Sequence, residues 1–337
     1  MTPTGKISEA DFDSIIASRL GADRDDVELG PTYGVDFGIV SMGDYRLISS
    51  TDPLSILPEL GWKRAGTFAI SFVLADIAVS GVTPTHLTVS FALPTSIQDS
   101  EFSTLWSGIH EECESLGISI VTGHTARYSE SRFPWVGSAT ALAITEHDQI
   151  IRPDGASPGD VVLITRGPAI ETTGLLTTVF PDAIPVDEET LATGQQLLDQ
   201  TTIVRDAIDA ASAGNITAMH DVTEGGIYGA LHEVATASDV GLEITRSAIP
   251  FHSVVETISD VLDFDPWRAT SAGSLIICTA PTDADLVVST LQKSGIPVSK
   301  VGRVTENTRV VIDGEPIPRE PGDSSWSVYE RLLGMKE

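Results

Sequence analysis

Apolar and polar positions alternate along the chain in ways that predict strands and helices mixed through both halves. From His86 to Leu93 every second residue is apolar, with Leu87, Val89, Phe91 and Leu93 on one face, the period of a half-buried strand. Between Phe68 and Val79 the only polar side chains are Ser71 and Asp76, so this stretch predicts a helix buried nearly all round. Residues 7–20 predict a short amphipathic helix, and Leu29 to Gly38 a polar, glycine-rich loop. A strand over 45–49 runs into Ser50-Thr51-Asp52-Pro53. A helix over 102–116 and strands over 118–122 and 137–145 complete the first half. The turn-rich run from Arg152 to Asp160 reads as a linker. Beyond it the pattern predicts a strand at 161–165, helices near 169–179 and 189–212, strands at 274–279 and 309–313, and a helix at 283–294. The fold class is therefore α/β, with α+β layers in each half. The expected boundaries are an N-terminal helix and loop over 1–35, one domain over 36–150, a second over 155–320, and a tail over 321–337.

One segment carries more chemistry than the rest: Ala218-Met219-His220-Asp221-Val222-Thr223-Glu224-Gly225-Gly226-Ile227. It reads as a strand end, a turn bearing a carboxylate, and a glycine pair opening a helix. Ile227, Leu231, Val234 and Ala235 then follow the i, i+4, i+7, i+8 spacing of one buried helix face. Glycine lets a ligand approach the backbone closely, and the free N–H groups of a helix start attract anions. A carboxylate beside an anion site makes sense with a divalent cation between them, which points to a Mg–nucleotide or another Mg–phosphate. The plain alternative is an N-cap turn with ordinary Asp and Thr preferences.

Composition tempers that reading, because 48 of 337 residues are acidic and Asp beside Gly comes easily. The net charge is −28 and only five of the 20 basic residues are lysine. Such a surface argues against nucleic acid and anionic membranes as partners. It suits a high-salt, halophilic habitat, where repulsion is screened within about 3 Å at 1 M. No apolar run reaches the roughly 18 residues of a membrane span. Met1 to Lys6 lacks the basic and apolar regions of a signal peptide, so a cytoplasmic location is expected. Cys113 and Cys278 stand far apart with no ligand partners and are expected to be packing residues.

Other carboxylates sit in costly places. Asp76 lies in the apolar helix with no basic residue within a turn, so it needs a distant salt bridge, a metal or a nucleotide. Asp52 is expected to end a strand at a sheet edge, where ligands of α/β folds collect, although Asp-Pro also starts ordinary turns. Asp36 closes the glycine-rich run 30–38, which either wraps a phosphate or is a surface loop; no Gly-Lys-Thr makes it a Walker loop. His124 and Arg127, just after the strand at 118–122, could bind phosphate, ligate a metal or move protons, or belong to a surface turn. His220 is expected to cap or support its neighbour. Neither a nucleophile elbow, HExxH nor GxGxxG in a strand–helix context is present.

Taken in order, these segments resemble the AIR synthase (PurM-like) superfamily, which includes hydrogenase maturation factor HypE, selenophosphate synthetase and thiamine-monophosphate kinase. The loop 30–38 resembles the family's glycine-rich loop ending in Asp, and Ser50-Thr51-Asp52 its Thr-Thr-Asp strand end. Ala75-Asp76-Ile77-Ala78-Val79-Ser80-Gly81 resembles its Asn-Asp-[Leu/Ile]-Ala-x-x-Gly helix, and Thr122-Gly123-His124-Thr125 its Gly-Gly-[Asp/Glu/His]-Thr turn. The 220–226 segment is similar to the His-Asp-Pro-Thr-Arg-Gly-Gly segment of the HypE group. Ile249-Pro250, and Asp265-Pro266-Trp267 through Gly273-Ser274-Leu275, also resemble that group.

The resemblance implies an ATP-binding first domain that forms a barrel with a second subunit, and a second α/β domain closing the active-site cleft. It implies a homodimer using ATP and Mg, with a small-molecule or protein acceptor, a maturation partner protein being one candidate. Asp36, Asp52 and Asp76 would hold Mg and the ATP phosphates, with Gly123 and Thr125 beside them. Asp221, as metal ligand, would join Thr223 and the Gly225 and Gly226 amides. His124, Arg127 and Asp221 are the catalytic candidates. Three departures bear on the chemistry: the chain ends Gly334-Met335-Lys336-Glu337 without the cysteine of HypE, residues 1–40 lack the cysteine of selenophosphate synthetase, and Ala75 and His124 replace an Asn and an acidic residue. The expected function is HypE-like ATP- and Mg-dependent phosphorylation of an acceptor. The alternatives are a non-catalytic nucleotide-binding maturation or regulatory protein and a thiamine-monophosphate kinase.

Overall fold

A computed structural model describes residues 4–146, 150–319 and 322–336. The chain divides into two compact units, one made of Arg24–Gly30 and Asp36–Ile150, the other of Met1–Asp23, Pro31–Val35 and Ile151–Glu337. The N-terminal stretch, expected as one piece over 1–35, is thus shared between them. Its helix is shorter than the expected 7–20: a turn α1 (Glu9–Asp11), capped by the Ser8 hydroxyl, continues as a π-helix over Phe12–Ala17.

The unit containing 36–150 is a six-stranded sheet with two helices. Its strands are β1 (Val27–Leu29), β2 (Gly38–Met42), β3 (Tyr45–Ser55), β4 (His86–Pro94), β5 (Ser119–Tyr128) and β6 (Trp135–Thr145), in the order β1-β2-β3-β6-β4-β5. All neighbours are antiparallel except β4 and β5. Helices α2 (Trp62–Ala78) and α3 (Asp99–Leu116) pack against each other with almost no side chain between them. A Cβ on Gly66 would lie 2.1 Å from the Leu105 carbonyl oxygen, and one on Gly108 2.0 Å from that of Lys63. Along β3 the pleat sends Ile48, Ser50, Asp52 and Leu54 to one face, and Ser50 meets α2 there. The other residues of β3 are more exposed, as suits a sheet with one wet face.

Two elements of this unit run further than the sequence pattern indicates. Strand β3 continues through Asp52 and Pro53, pairing them with Ala139 and Ser138, so Asp52 lies within the strand rather than at its end. Pro53 is tolerated because the register shifts between Pro53 and Ser55. Strand β5 continues through the predicted turn to Tyr128, since β4 supplies partners as far as Pro94. It is an edge strand with mostly exposed side chains, not a buried strand followed by a turn.

The other unit is a seven-stranded sheet: β7 (Val161–Thr165), β8 (Ile216–Asp221), β9 (Gly241–Ile244), β10 (Leu275–Thr279), β11 (Val298–Thr305), β12 (Val310–Ile312) and β13 (Glu315–Pro316). The order is β13-β12-β9-β11-β7-β10-β8. Helices α4 (Ile170–Val179), α5 (Glu188–Gln196), α6 (Val204–Ala213), α7 (Gly226–Ala237), α8 (Ser253–Leu262), α9 (Ala284–Lys293) and α10 (Ser324–Lys336) surround it. One face of the sheet, with Val162, Ile164, Ala218 and Ile276, packs on Ile227, Leu231 and Val234 of α7. The helix expected over 189–212 is broken into α5, a 3-10 turn at Leu197–Gln200, and α6. The expected tail is the helix α10, with Val328 and Leu332 buried at i and i+4. Among the described residues no helix is long and apolar enough to cross a membrane.

Strands β7 and β8 both run antiparallel to β10, so their carboxyl ends reach the same edge of the sheet as the start of β10. Three loops gather there: 166–169, 222–225 and 270–274.

Candidate functional site

In the 36–150 unit the structure joins Asp76 to β3. The Ser50 hydroxyl donates to Asp76 Oδ2 at 2.6 Å, and Asp52 follows on the same face of the strand. Asp76 is half-buried rather than enclosed, and so are Asp52 and Asp36, the last just before β2. Thr51 points to the opposite face, where its hydroxyl donates to the Ala139 carbonyl at 3.0 Å. The residues taken from the 122–127 segment behave differently. His124, Thr125 and Arg127 are exposed on the edge strand, and the Arg127 guanidinium holds Asp99 at 2.6 Å. Thr125 and Arg127, with Leu93, Asp99, Phe102 and Ala126, line an open cleft of about 380 Å³. Gly123 has a packing reason for its identity, since a Cβ there would sit 2.3 Å from the Val89 carbonyl oxygen.

In the other unit the predicted strand–turn–helix forms as read. Asp221 ends β8, Val222 to Gly225 make the turn, and Gly225 and Gly226 take left-handed φ values of 82° and 61° before α7. Gly226 is also required by packing, as its Cβ would meet the Trp267 carbonyl oxygen at 2.6 Å. Asp221 and His220 are 3% and 2% exposed. The Asp221 Oδ1 atom is buried and accepts no hydrogen bond among the described residues, with His220 Nδ1 at 3.6 Å. A buried carboxylate oxygen left without a donor is costly, and a hard cation is the ligand that suits it. The buried Arg166 is committed to Asp206 and to the Gly273 carbonyl.

The glycine amides are not open to an anion as expected from the sequence. Gly225 N–H donates to Asp323 Oδ2 at 2.8 Å, and Gly226 N–H to the Thr223 carbonyl at 3.0 Å. The turn closes on itself and borrows its carboxylate from the start of α10.

With this geometry in place, comparison with known proteins gives a family. The model of the AIR synthase related protein N-terminal domain matches residues 34–144, and that of the C-terminal domain matches residues 157–315. The chain belongs to the AIR synthase related family. It is 26% identical to carbamoyl dehydratase HypE of Rhizobium leguminosarum bv. viciae over 275 residues, 80% of this chain and 77% of that protein. Among solved structures, AaThiL complexed with AMPPCP and TMP superposes with a TM-score of 0.70 at 20% identity, covering 88% of this chain and 92% of that one. Hydrogenase maturation protein HypE in complex with ATP superposes with a TM-score of 0.67 at 20% identity, covering 93% and 94%. Both confirm the two-part AIR synthase related fold.

Four charged residues of this AIR synthase related chain escape a reading of its sequence. Glu233 of α7 is buried and lies 3.2 Å from both His220 Nε2 and Lys6 Nζ. Burial alone would raise its pKa, but Lys6 and His220 together hold the carboxyl down to about 2. Glu171, in the first turn of α4, accepts the Ala272 N–H at 3.1 Å. Burial pushes Glu171 up to about 8; the Ala272 N–H opposes this, and the charges of Asp323, Glu224 and Asp221 add to it. Lys6 and Asp323 are the other two, and both lie outside the segments matched by the family models. Nothing in a local pattern marks these residues. The two thiols are packing residues, Cys113 and Cys278 being pushed up by burial to about 11 and about 12, far from thiolate chemistry.

Proposed function

We propose that the chain is an ATP- and Mg-dependent enzyme of HypE type that activates an oxygen atom of a small-molecule or protein acceptor by phosphorylation. The observation that carries this reading is the buried Asp221 Oδ1 without a hydrogen-bond donor, at a strand end that opens into a glycine turn. Asp76, which accepts from the Ser50 hydroxyl, and Asp52, on the same face of β3 as Ser50, are assigned to Mg and phosphate oxygens in the other unit, and Asp36 joins them by its motif. The acceptor oxygen attacks the γ-phosphorus, the bond to the bridging oxygen breaks, and ADP leaves. Mg, when bound, neutralises charge on the transferred group, which supplies much of the catalysis in phosphoryl transfer. The protein's part is to place carboxylates for the metal and to fix the phosphates. The ATP-bound HypE and the AMPPCP-bound ThiL support the choice of nucleotide. The charge of −28 supports a working medium of high salt.

Calorimetric titration with Mg-ATP in molar KCl tests the reading. Asp221→Asn and Asp76→Asn are each expected to weaken binding at least about tenfold, the loss of one charged ligand interaction. Unchanged binding in both variants would remove these residues from the site. Binding without turnover is the second reading, favoured by Ala75 in place of the family Asn and by the exposure of His124. ADP release assayed with and without thiamine monophosphate separates it from catalysis and tests the kinase alternative.

A further inference from the structure

We propose that Asp323, just ahead of helix α10, is an internal anion occupying the phosphate position of the 223–226 turn, a side-chain latch that an incoming phosphate must release. The proposal rests on the reading that the turn serves a phosphate-bearing ligand, and it goes beyond that reading by assigning a competitor built into the chain.

Asp323 is coordinated as an oxyanion would be. Its Oδ2 accepts from Gly225 N–H at 2.8 Å and from the Thr270 hydroxyl at 2.6 Å. Its Oδ1 accepts from Ser325 N–H at 2.7 Å and from the Ser325 hydroxyl. The first two donors belong to the glycine turn and to the loop before β10, so they stay in place when Asp323 leaves. The backbone N–H at the N-cap of the 12-residue helix α7 and the Thr270 hydroxyl are donors of the kind a phosphate oxygen accepts.

The carboxylate carries an electrostatic cost here, since Asp323, Glu224 and Asp221 all act on the buried Glu171. Both of its oxygens accept, so Asn, with one acceptor oxygen, replaces it only in part. A Mg–phosphate brings its own cation, and the buried Asp221 Oδ1 is the atom left waiting for one.

Release does not require unseating the helix. Val328 and Leu332 are buried, and Arg331 donates to the Leu262 carbonyl, so the body of α10 is anchored while Asp323 stands just ahead of its first residue. Rotation of one side chain frees Gly225 N–H at the cost of the bonds to Ser325. The N-terminal segment secures the closed arrangement: Lys6 N–H donates to Glu224 Oε2 at 2.7 Å, and Thr4 reaches Glu330 of α10. Asp323 and this segment lie outside the 34–144 and 157–315 spans matched by the two family models.

The test is calorimetric titration of the full chain in molar KCl with Mg-ATP and, separately, Mg-pyrophosphate. Wild type is compared with Asp323→Asn and Asp323→Ala. Removing the competitor raises the fraction of binding-competent turn, so both variants should bind both probes at least about tenfold more tightly. Saturating the wild type with Mg-pyrophosphate should speed hydrogen exchange in residues 324–327, whose cap is lost. Wild-type binding with no gain in either variant, and no change in exchange, would overturn the latch while leaving the phosphate site standing. If Asp323→Ala does not fold, Asp323→Asn, which keeps an acceptor, decides alone. Failure of wild type and variants alike to bind either probe would remove the phosphate reading and the latch together.

Discussion

At the scale of single residues, charge decides more than position. Glu171 and Glu233 are both buried carboxyls, yet one is pushed up to about 8 and the other held near 2, because Glu233 has Lys6 and His220 beside it while Glu171 has an N–H and other carboxylates. The consequence for stability has a definite sign. Glu171 keeps its proton in the folded state up to about pH 8 and loses it near 4.5 when unfolded, so folding takes up a proton between those values. Its contribution is full below pH 4.5 and is lost as pH rises through 8. The sequence singled out Asp221, Asp52 and Asp76 because carboxylates stood at a glycine turn, an expected strand end and an apolar helix. Glu171→Gln should therefore flatten the fall of Tm between pH 5 and 8 in scanning calorimetry at fixed salt, and Tm curves that stay parallel to wild type would contradict the assignment. Lys6 and Glu233 were not legible, being 227 positions apart in the chain.

Elements were legible where their period was regular and hidden where it was not. Strand β11 buries Val298, Val301 and Val304 at every third position, because the register slips between Lys300 and Gly302. A bulge of this kind erases the alternation that identifies a strand. Gly302 is needed there, since a Cβ would lie 1.9 Å from the Glu243 carbonyl oxygen. Strands β3 and β5 outran their predicted ends because a neighbouring strand supplied hydrogen bonds past Pro53 and Gly123. The apolar helix α2 was plain from composition, but its contact with α3 through paired glycines was not. Gly66→Ala places a methyl group 2.1 Å from a backbone oxygen, and the helices must part. Overpacking of this sort costs about 1–3 kcal/mol, so urea denaturation should show a lower midpoint with little change in slope. A midpoint equal to that of wild type would mean the helices can separate freely.

At the scale of the whole molecule, edge strand β5 and the exposed Val121, Trp135 and Ile144 leave apolar surface and unpaired backbone on the 36–150 unit. Edges of this kind are templates for another chain, and a second copy is the partner that the family resemblance implies. Two copies each carry a net charge of −28, so association must depend on screening. Sedimentation should find a dimer in 2 M KCl that weakens as salt falls and the Debye length grows from about 3 Å at 1 M to about 10 Å at 0.1 M. A monomer at every salt concentration would rule the dimer out. The sequence by itself determined the α/β class, the order of the motifs and the strand–turn–helix at 221–226. All of these are written in local periodicity and residue type. Only the tertiary structure decided that Ser50 meets Asp76, that Lys6 tempers Glu233, and that Asp323 fills the glycine turn. Those contacts join residues 26, 227 and 98 positions apart, and a linear pattern holds no record of which distant charge a fold will bring home.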